Sequence, residues 1–141
     1  MSIASILKSK GGDVVTVRGE APVHEMLALL HQHRIGAVLI VEDEQPVGVV
    51  SERDVVKCLH ERGADILNAK IHDIMSSPVV TVSPDDSIVH AMTMMTDFRV
   101  RHLPVMENGR LVGIVSIGDL VKRRIEDAEH EAEQLKTYIT A

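Results

Sequence analysis

The spacing of apolar positions changes period several times along the chain. VVTV at 14–17 is a short continuous apolar run, which predicts a buried strand. Gly19 and Pro22 mark a turn, after which Val23, Met26, Leu27 and Leu30 recur at i, i+3, i+4 and i+7, the spacing of one helical face. AVLIV at 37–41 is too short for a helix and rich in β-branched residues, so it reads as a second buried strand. A polar turn from Glu42 to Gln45 leads into a third strand at VGVV, and Ser51 opens another helix running to about Gly63. The order is β-α-β-β-α. A crossover helix implies that the strands it joins are parallel, and a short polar turn makes the last two a hairpin.

The same order then returns. A strand is expected at Val79 to Val82, a helix from Ser83 or Pro84 with Ile88, Ala91, Met92 and Met95 inward, and strands at His102 to Met106 and Leu111 to Val115. Asn108-Gly109 between those last two tolerates the positive φ of a type I′ turn. An offset of 65 residues superimposes the halves without a gap. VVTV falls on Val79 to Val82, Arg34 on Arg99, Glu42 on Glu107, Lys57 on Lys122, and GVVSERD at 48–54 on GIVSIGD at 113–119. Such a repeat implies units that cannot bury their apolar faces alone. Units of roughly 60 residues would bury only about 60% of their unfolded surface in isolation. The expected fold is therefore α/β of the α+β type: two tandem β-α-β-β-α repeats packed about a pseudo-twofold axis on one core. Residues 1–63 form the first repeat with an N-terminal segment. Residues 64–141 form the second, with a helical connector at Ala64 to Met75 and an extended C-terminal helix.

That last helix is expected from Ser116 to about Tyr138. Ile117, Val121, Ile125, Ala128, Ala132, Leu135 and Ile139 form a heptad-like stripe. Beyond the repeat the stripe has nothing in its own half to cover, so it either meets a second protomer or folds back over its own domain.

Composition narrows the chemistry. Hydrophobic residues make up 45% of the chain, yet Phe98 and Tyr138 are its only aromatics, so recognition by stacking is excluded as a main device. The net charge is -6, and the segment 126–141 holds five acids against Lys136. This argues against bulk attraction to nucleic acid or an anionic membrane and leaves room for a local anion pocket. Cys58 is the single cysteine and reads as a structural thiol. The N-terminal segment has no long apolar core, and no run approaches the ~18 apolar residues of a membrane span, so a soluble cytoplasmic protein is expected.

The candidate chemistry lies in the repeated stretch. Ser51-x-x-Asp54 and Ser116-x-x-Asp119 each follow an apolar strand and open a helix, where Ser at the N-cap and an acid at N3 satisfy orphan backbone N–H groups. Capping accounts for Ser and Asp. Gly48 and Gly113, in or beside strands, instead signal a bulge or a close backbone approach. A Gly-bearing strand end, a hydroxyl at a helix start and a carboxylate one turn later also suit a nucleotide: the helix N-terminus faces phosphate, and the carboxylate accepts from ribose hydroxyls.

The paired units, the two G-h-h-S-x-x-D stretches (h, apolar) and RHLPV at 101–105 together resemble a cystathionine-β-synthase (CBS) domain pair, or Bateman module, over about Val14 to Lys122. Within that family the chain is most similar to small stand-alone bacterial CBS-pair proteins of signal transduction. The resemblance implies binding of an adenine nucleotide or adenosyl compound (AMP, ADP, ATP, NAD or S-adenosylmethionine) in clefts between the repeats. It assigns Asp54 and Asp119 to ribose, and Ser51 and Ser116 to phosphate. Thr16 and Val38, or Thr81 and Leu103, would surround the base, with Pro104 and Ile117 nearby. Arg53, Arg99, Arg101 and His102 would share phosphate contacts. For each arginine the other reading is a solvated charge, and for His102 a structural hydrogen bond. The first repeat has Gly36 and Ala37 where the second has Arg101 and His102, which favours the second corner as the tighter site. The implied role is a non-catalytic, homodimeric regulatory module acting on an unidentified protein partner. The alternative is an assembly scaffold whose motifs are only helix caps. The eight histidines are scattered, and His31 and His33 cannot share a helix face as i, i+4 metal pairs do.

Overall fold

The computed structural model describes residues 2–76 and 79–140. Its elements are α1 (Ile3–Lys10), β1 (Thr16–Val17), α2 (Val23–His33), β2 (Ala37–Glu42), β3 (Gln45–Ser51), α3 (Glu52–Arg62), α4 (Ile88–Phe98), β4 (His102–Glu107), β5 (Arg110–Ser116) and α5 (Ile117–Thr140). β1 pairs parallel with β2, and β2 antiparallel with β3. β4 and β5 form the equivalent hairpin. Both hairpins carry a register shift at the same place, Ile40/Val41 and Val105/Met106, one residue pair beyond Gly48 and Gly113. Both turn at paired positive-φ residues: Asn108-Gly109 as expected, and Asp43-Glu44 in the first half, where two ordinary residues adopt the same left-handed conformation. A local contact also repeats within each half: the Glu52 N–H donates to the Gly36 carbonyl, and 65 residues on the Ile117 N–H donates to that of Arg101.

The sequence expectation of one shared core is corrected to two. One gathers Val23, Met26, Leu30, Val38, Ile40, Val50 and Val55 with Ile66, Ile71 and Ile74. The other gathers Ile88, Ala91, Met95, Leu103, Val105, Val115 and Leu120 with Ile3 and Ile6. The connector thus completes the first half, and α1, which the sequence reading passed over as an N-terminal segment, completes the second. Each half covers its apolar face with a segment that precedes the second repeat's first strand or the chain's own.

Other boundaries differ for local reasons. The connector is not an α-helix but two 3-10 turns, Ala64–Asn68 and Ile71–Asp73. Its backbone is bonded elsewhere: the Ile71 and His72 N–H groups donate to Ala21 and Gly19, and Ser76 exchanges two bonds with Val49. A continuous helix would have used those groups internally. α4 starts at Ile88, because Ser83 and Asp86 bond each other in a turn and Ser87 caps the His90 N–H at 2.9 Å. The strand expected at Val79 to Val82 shrinks to one parallel bridge, Val82 with Val105. In the first half the Leu39 N–H donates to the Val15 carbonyl. The equivalent donor would be residue 104, a proline with no N–H, so the Val80 carbonyl lacks that bond; Val79, like its equivalent Val14, lies outside any strand.

Candidate functional site

The first Ser-Asp corner is set by α3. Ser51 is its N-cap: the Asp54 N–H donates to Ser51 Oγ at 3.3 Å, and Asp54 Oδ2 accepts from the Ser51 N–H at 2.8 Å. This reciprocal box fixes both side chains at the end of β3, where the helix presents its free N–H groups. The corner opens into a cavity of about 490 Å³ between the halves. On one side lie Val49, Ser51, Glu52, Arg53, Asp54 and Val56. Facing them from the second repeat are Ser76, the unpaired Val79 and Val80, and the stretch Arg99 to His102. Among the described residues Arg53, Arg99 and Arg101 take part in no ion pair, so three guanidinium groups face a partly apolar cavity against two carboxylates. Arg99 is held there by its left-handed φ of 55° at the C-cap of α4. His102 is half-buried. Burial first, and then repulsion from Lys10 and Arg101, push its imidazole below the ordinary histidine range, against the opposing pull of Asp119 and Glu52.

The second corner repeats the cap and adds a plug. Asp119 Oδ2 accepts from the Ser116 N–H at 2.8 Å, and Ser116 Oγ from the Asp119 N–H at 3.1 Å. Lys10 Nζ, from the end of α1, donates to the same Oδ2 at 2.6 Å and to the Ile114 carbonyl at 2.8 Å. Burial alone would raise the Asp119 carboxyl, but the Lys10 hydrogen bond, the Ser116 N–H and the Lys10 charge outweigh it and hold the group below the usual carboxylate range. The space left beside it, between α1 and α5, is about 200 Å³.

Ser51, Arg53, Asp54, Arg99, Arg101 and His102 therefore come together around one cavity, while Ser116, Ile117 and Asp119 lie elsewhere. Ile117 packs on the second core. Val38 and Leu103, expected around a base, are fully buried in the two cores, and Pro104 is buried in β4. Thr16 and Thr81 are exposed and do not line the cavity. The sequence reading missed Val49, Val56, Val79 and Val80 as apolar walls. It also missed Lys10, although Ile3, Ile6 and Leu7 at i, i+3 and i+4, with Gly11 just beyond, signalled the helix that carries it. The glycines prove to be packing positions: a Cβ on Gly48 would lie 2.9 Å from Met75 Cγ, and one on Gly113 2.6 Å from Leu7 Cδ2.

The chain matches the CBS domain family twice, over residues 4–61 and 71–126. The mitochondrial CBS domain-containing protein CBSX3 of Arabidopsis thaliana is 31% identical, over 98% of this chain and 71% of that protein. A CBS-domain containing protein of Agrobacterium tumefaciens superimposes with a TM-score of 0.85 at 41% identity, covering 88% of this chain and 99% of that one. A CBS domain protein of Pyrobaculum aerophilum, solved in complex with AMP, superimposes at 0.74 with 29% identity, covering 84% and 89%. With both repeats matched and their tandem arrangement shared by solved relatives, the chain belongs to the CBS domain family and carries one pair of these domains.

Proposed function

We propose that this chain is a regulatory module that binds an adenine nucleotide in the first cleft and passes its occupancy to a partner protein. The observation that carries the reading is the two-sided cavity of about 490 Å³, in which a capped Ser-Asp corner from one repeat faces unpaired arginines from the other. Asp54 accepts from ribose hydroxyls, and the α3 N-terminus with Ser51 faces phosphate. Arg53, Arg99 and Arg101 balance its charge, and Val49, Val56, Val79 and Val80 sandwich the base without aromatic rings. His102, neutral near pH 7, is a hydrogen-bonding rather than a charged group. The AMP complex of the Pyrobaculum relative supports an adenosine monophosphate core as the shared element of the ligand. The module acts as a homodimer, a reading supported by the exposed Ile125, Leu135 and Ile139 on α5.

Thermal unfolding against AMP, ADP, ATP, NAD and S-adenosylmethionine tests the reading. A ligand at a hundredfold excess over its Kd adds about 2.7 kcal/mol of stability. The shift should vanish in Asp54→Asn and in the double variant Arg99→Ala/Arg101→Ala. No shift with any compound at millimolar concentration would favour the second reading, an assembly scaffold, which draws support from the closed second corner and the unpartnered stripe on α5.

A further inference from the structure

The two corners share a capping box, but the segments leading into the repeats differ. Sixty-five residues after Lys10 stands Met75, whose side chain packs on the Gly48 Cα and carries no charge. At the second corner Leu7, one helical turn before Lys10, takes the packing place on Gly113, which leaves Lys10 free to reach Asp119. We propose that Lys10 is a built-in plug of the second corner, so that the chain takes nucleotide at its first corner alone until this ammonium is displaced.

The geometry sets the plug in direct competition with a ligand. Lys10 Nζ spans two acceptors, Asp119 Oδ2 and the Ile114 carbonyl, and the same Oδ2 already accepts from the Ser116 N–H. A ribose hydroxyl that seeks this oxygen must displace a bond in which both partners are charged and replace it with one in which only the acceptor is. The ammonium is also tethered. Ile3 and Ile6 are buried in the second core, and Gly11 ends the helix at a φ of 98°. Gly12 lies so close to β5 that a Cβ there would stand 2.7 Å from the Val112 carbonyl oxygen. A group fixed in this way acts at a high effective concentration, which a free ligand must exceed. Of the cations at the first cleft only Arg99 has a counterpart, Arg34. Arg53, Arg101 and His102 correspond to Gly118, Gly36 and Ala37, and at this corner it is Lys10 that pairs directly with Asp119.

The inference rests on the nucleotide reading above, and counting bound AMP by native mass spectrometry and calorimetry separates the two. Wild type should bind one AMP per chain, lost in Asp54→Asn. Lys10→Met, which keeps the length of the side chain without its charge, should bind two. Lys10→Met/Asp54→Asn should keep one, which a further Asp119→Asn removes. Two AMP molecules on wild type, one of them lost in Asp119→Asn, would overturn the plug and leave the nucleotide reading standing. A folded Lys10→Met chain that gains no AMP also overturns it. Wild type without AMP, beside a Lys10→Met chain with one Asp119-dependent molecule, would overturn the first-cleft reading and keep the plug. Lys10→Gln gives the same count should Lys10→Met be unstable.

Discussion

Replacing Gly48 by alanine separates two reasons for a glycine in this motif. If the residue exists to admit a ligand, the variant folds normally and loses nucleotide. The packing predicts the opposite. Gly48 is buried, and an added Cβ would fall 2.9 Å from Met75 Cγ and 3.1 Å from Met75 Cβ. A new rotamer can move Cγ and the thioether but not Cβ. The neighbouring Ser76 holds that backbone to Val49 by bonds of 2.9 and 3.2 Å, so the connector itself must shift. Overpacking of this kind costs about 1–3 kcal/mol. Reduced freedom of the unfolded chain returns about 0.4–1 kcal/mol, leaving a net loss of about 1–2 kcal/mol. A chain of 141 residues has an unfolding entropy of about 0.3 kcal/mol/K, so Tm should fall by roughly 3–7 °C. Urea denaturation of wild type, Gly48→Ala, Met75→Ala and the double variant measures this as a cycle. In the Met75→Ala background the glycine substitution should cost at least ~0.5 kcal/mol less. An equal cost in both backgrounds would refute the steric reasoning. So would a fully stable Gly48→Ala chain that no longer binds AMP.

Three further outcomes follow from the charges and from α5. His102 titrates below its unfolded value because of burial first and the Lys10 charge second, so the unfolded chain binds the extra proton and stability falls as pH drops through the histidine range. Urea midpoints between about pH 7 and 5 should show this slope, and His102→Gln should flatten it. Asp119 titrates below its unfolded value; its contribution is intact above the ordinary aspartate range and is lost as pH falls through the folded value. Carboxyl NMR of Lys10→Met should move that titration to higher pH, while the net stability lost stays within the ~0–1 kcal/mol of a solvent-screened pair. Residues 129–140 are all exposed in the single chain, so at concentrations low enough to keep both chains monomeric, deleting 129–141 should leave the unfolding free energy within about 0.5 kcal/mol. The same deletion should abolish the dimer in light scattering; a surviving dimer would place the interface on the other helices.

Much of the fold could be read because local and long-range signals agreed. AVLIV and the 3.6-residue spacing of Val23, Met26 and Leu30 each had one good solution, and Ser51 with Asp54 formed the expected capping box. The elements that escaped were decided by distant partners. Nothing local in ADILNAKIHDIM shows that its N–H groups will be claimed by Gly19 and Ala21. The apolar triplet of α1 was visible, but its burial among residues of the second repeat was not. The site divides in the same way. Residue types marked the arginines and the Ser-Asp corners, whereas which arginines face which corner depends on how the repeats cross.

That crossing explains why a duplicated motif gives unequal clefts. Arg99, Arg101, His102 and Pro104 belong to the second repeat, and by chain proximity they argued for the second corner. The packing of the repeats instead delivers the first three to the corner at Ser51 and Asp54, since the first cleft joins the α3 start of one repeat to the other repeat's approach to β4. Pro104 acts on the same cleft without touching it. By withholding an N–H it stops Val80 from pairing as Val15 does with Leu39, and the freed Val80, beside Val79, forms an apolar wall. Two local changes, a proline that opens one cleft and a lysine that fills the other corner, are enough to break the equivalence of the repeats. Restoring an N–H with Pro104→Leu should therefore add a bond to the Val80 carbonyl, as Leu39 bonds Val15, and weaken AMP binding at the first cleft. Hydrogen exchange at the amide gained in that variant and AMP calorimetry would register both effects. An unprotected amide together with unchanged affinity would refute this account of the asymmetry.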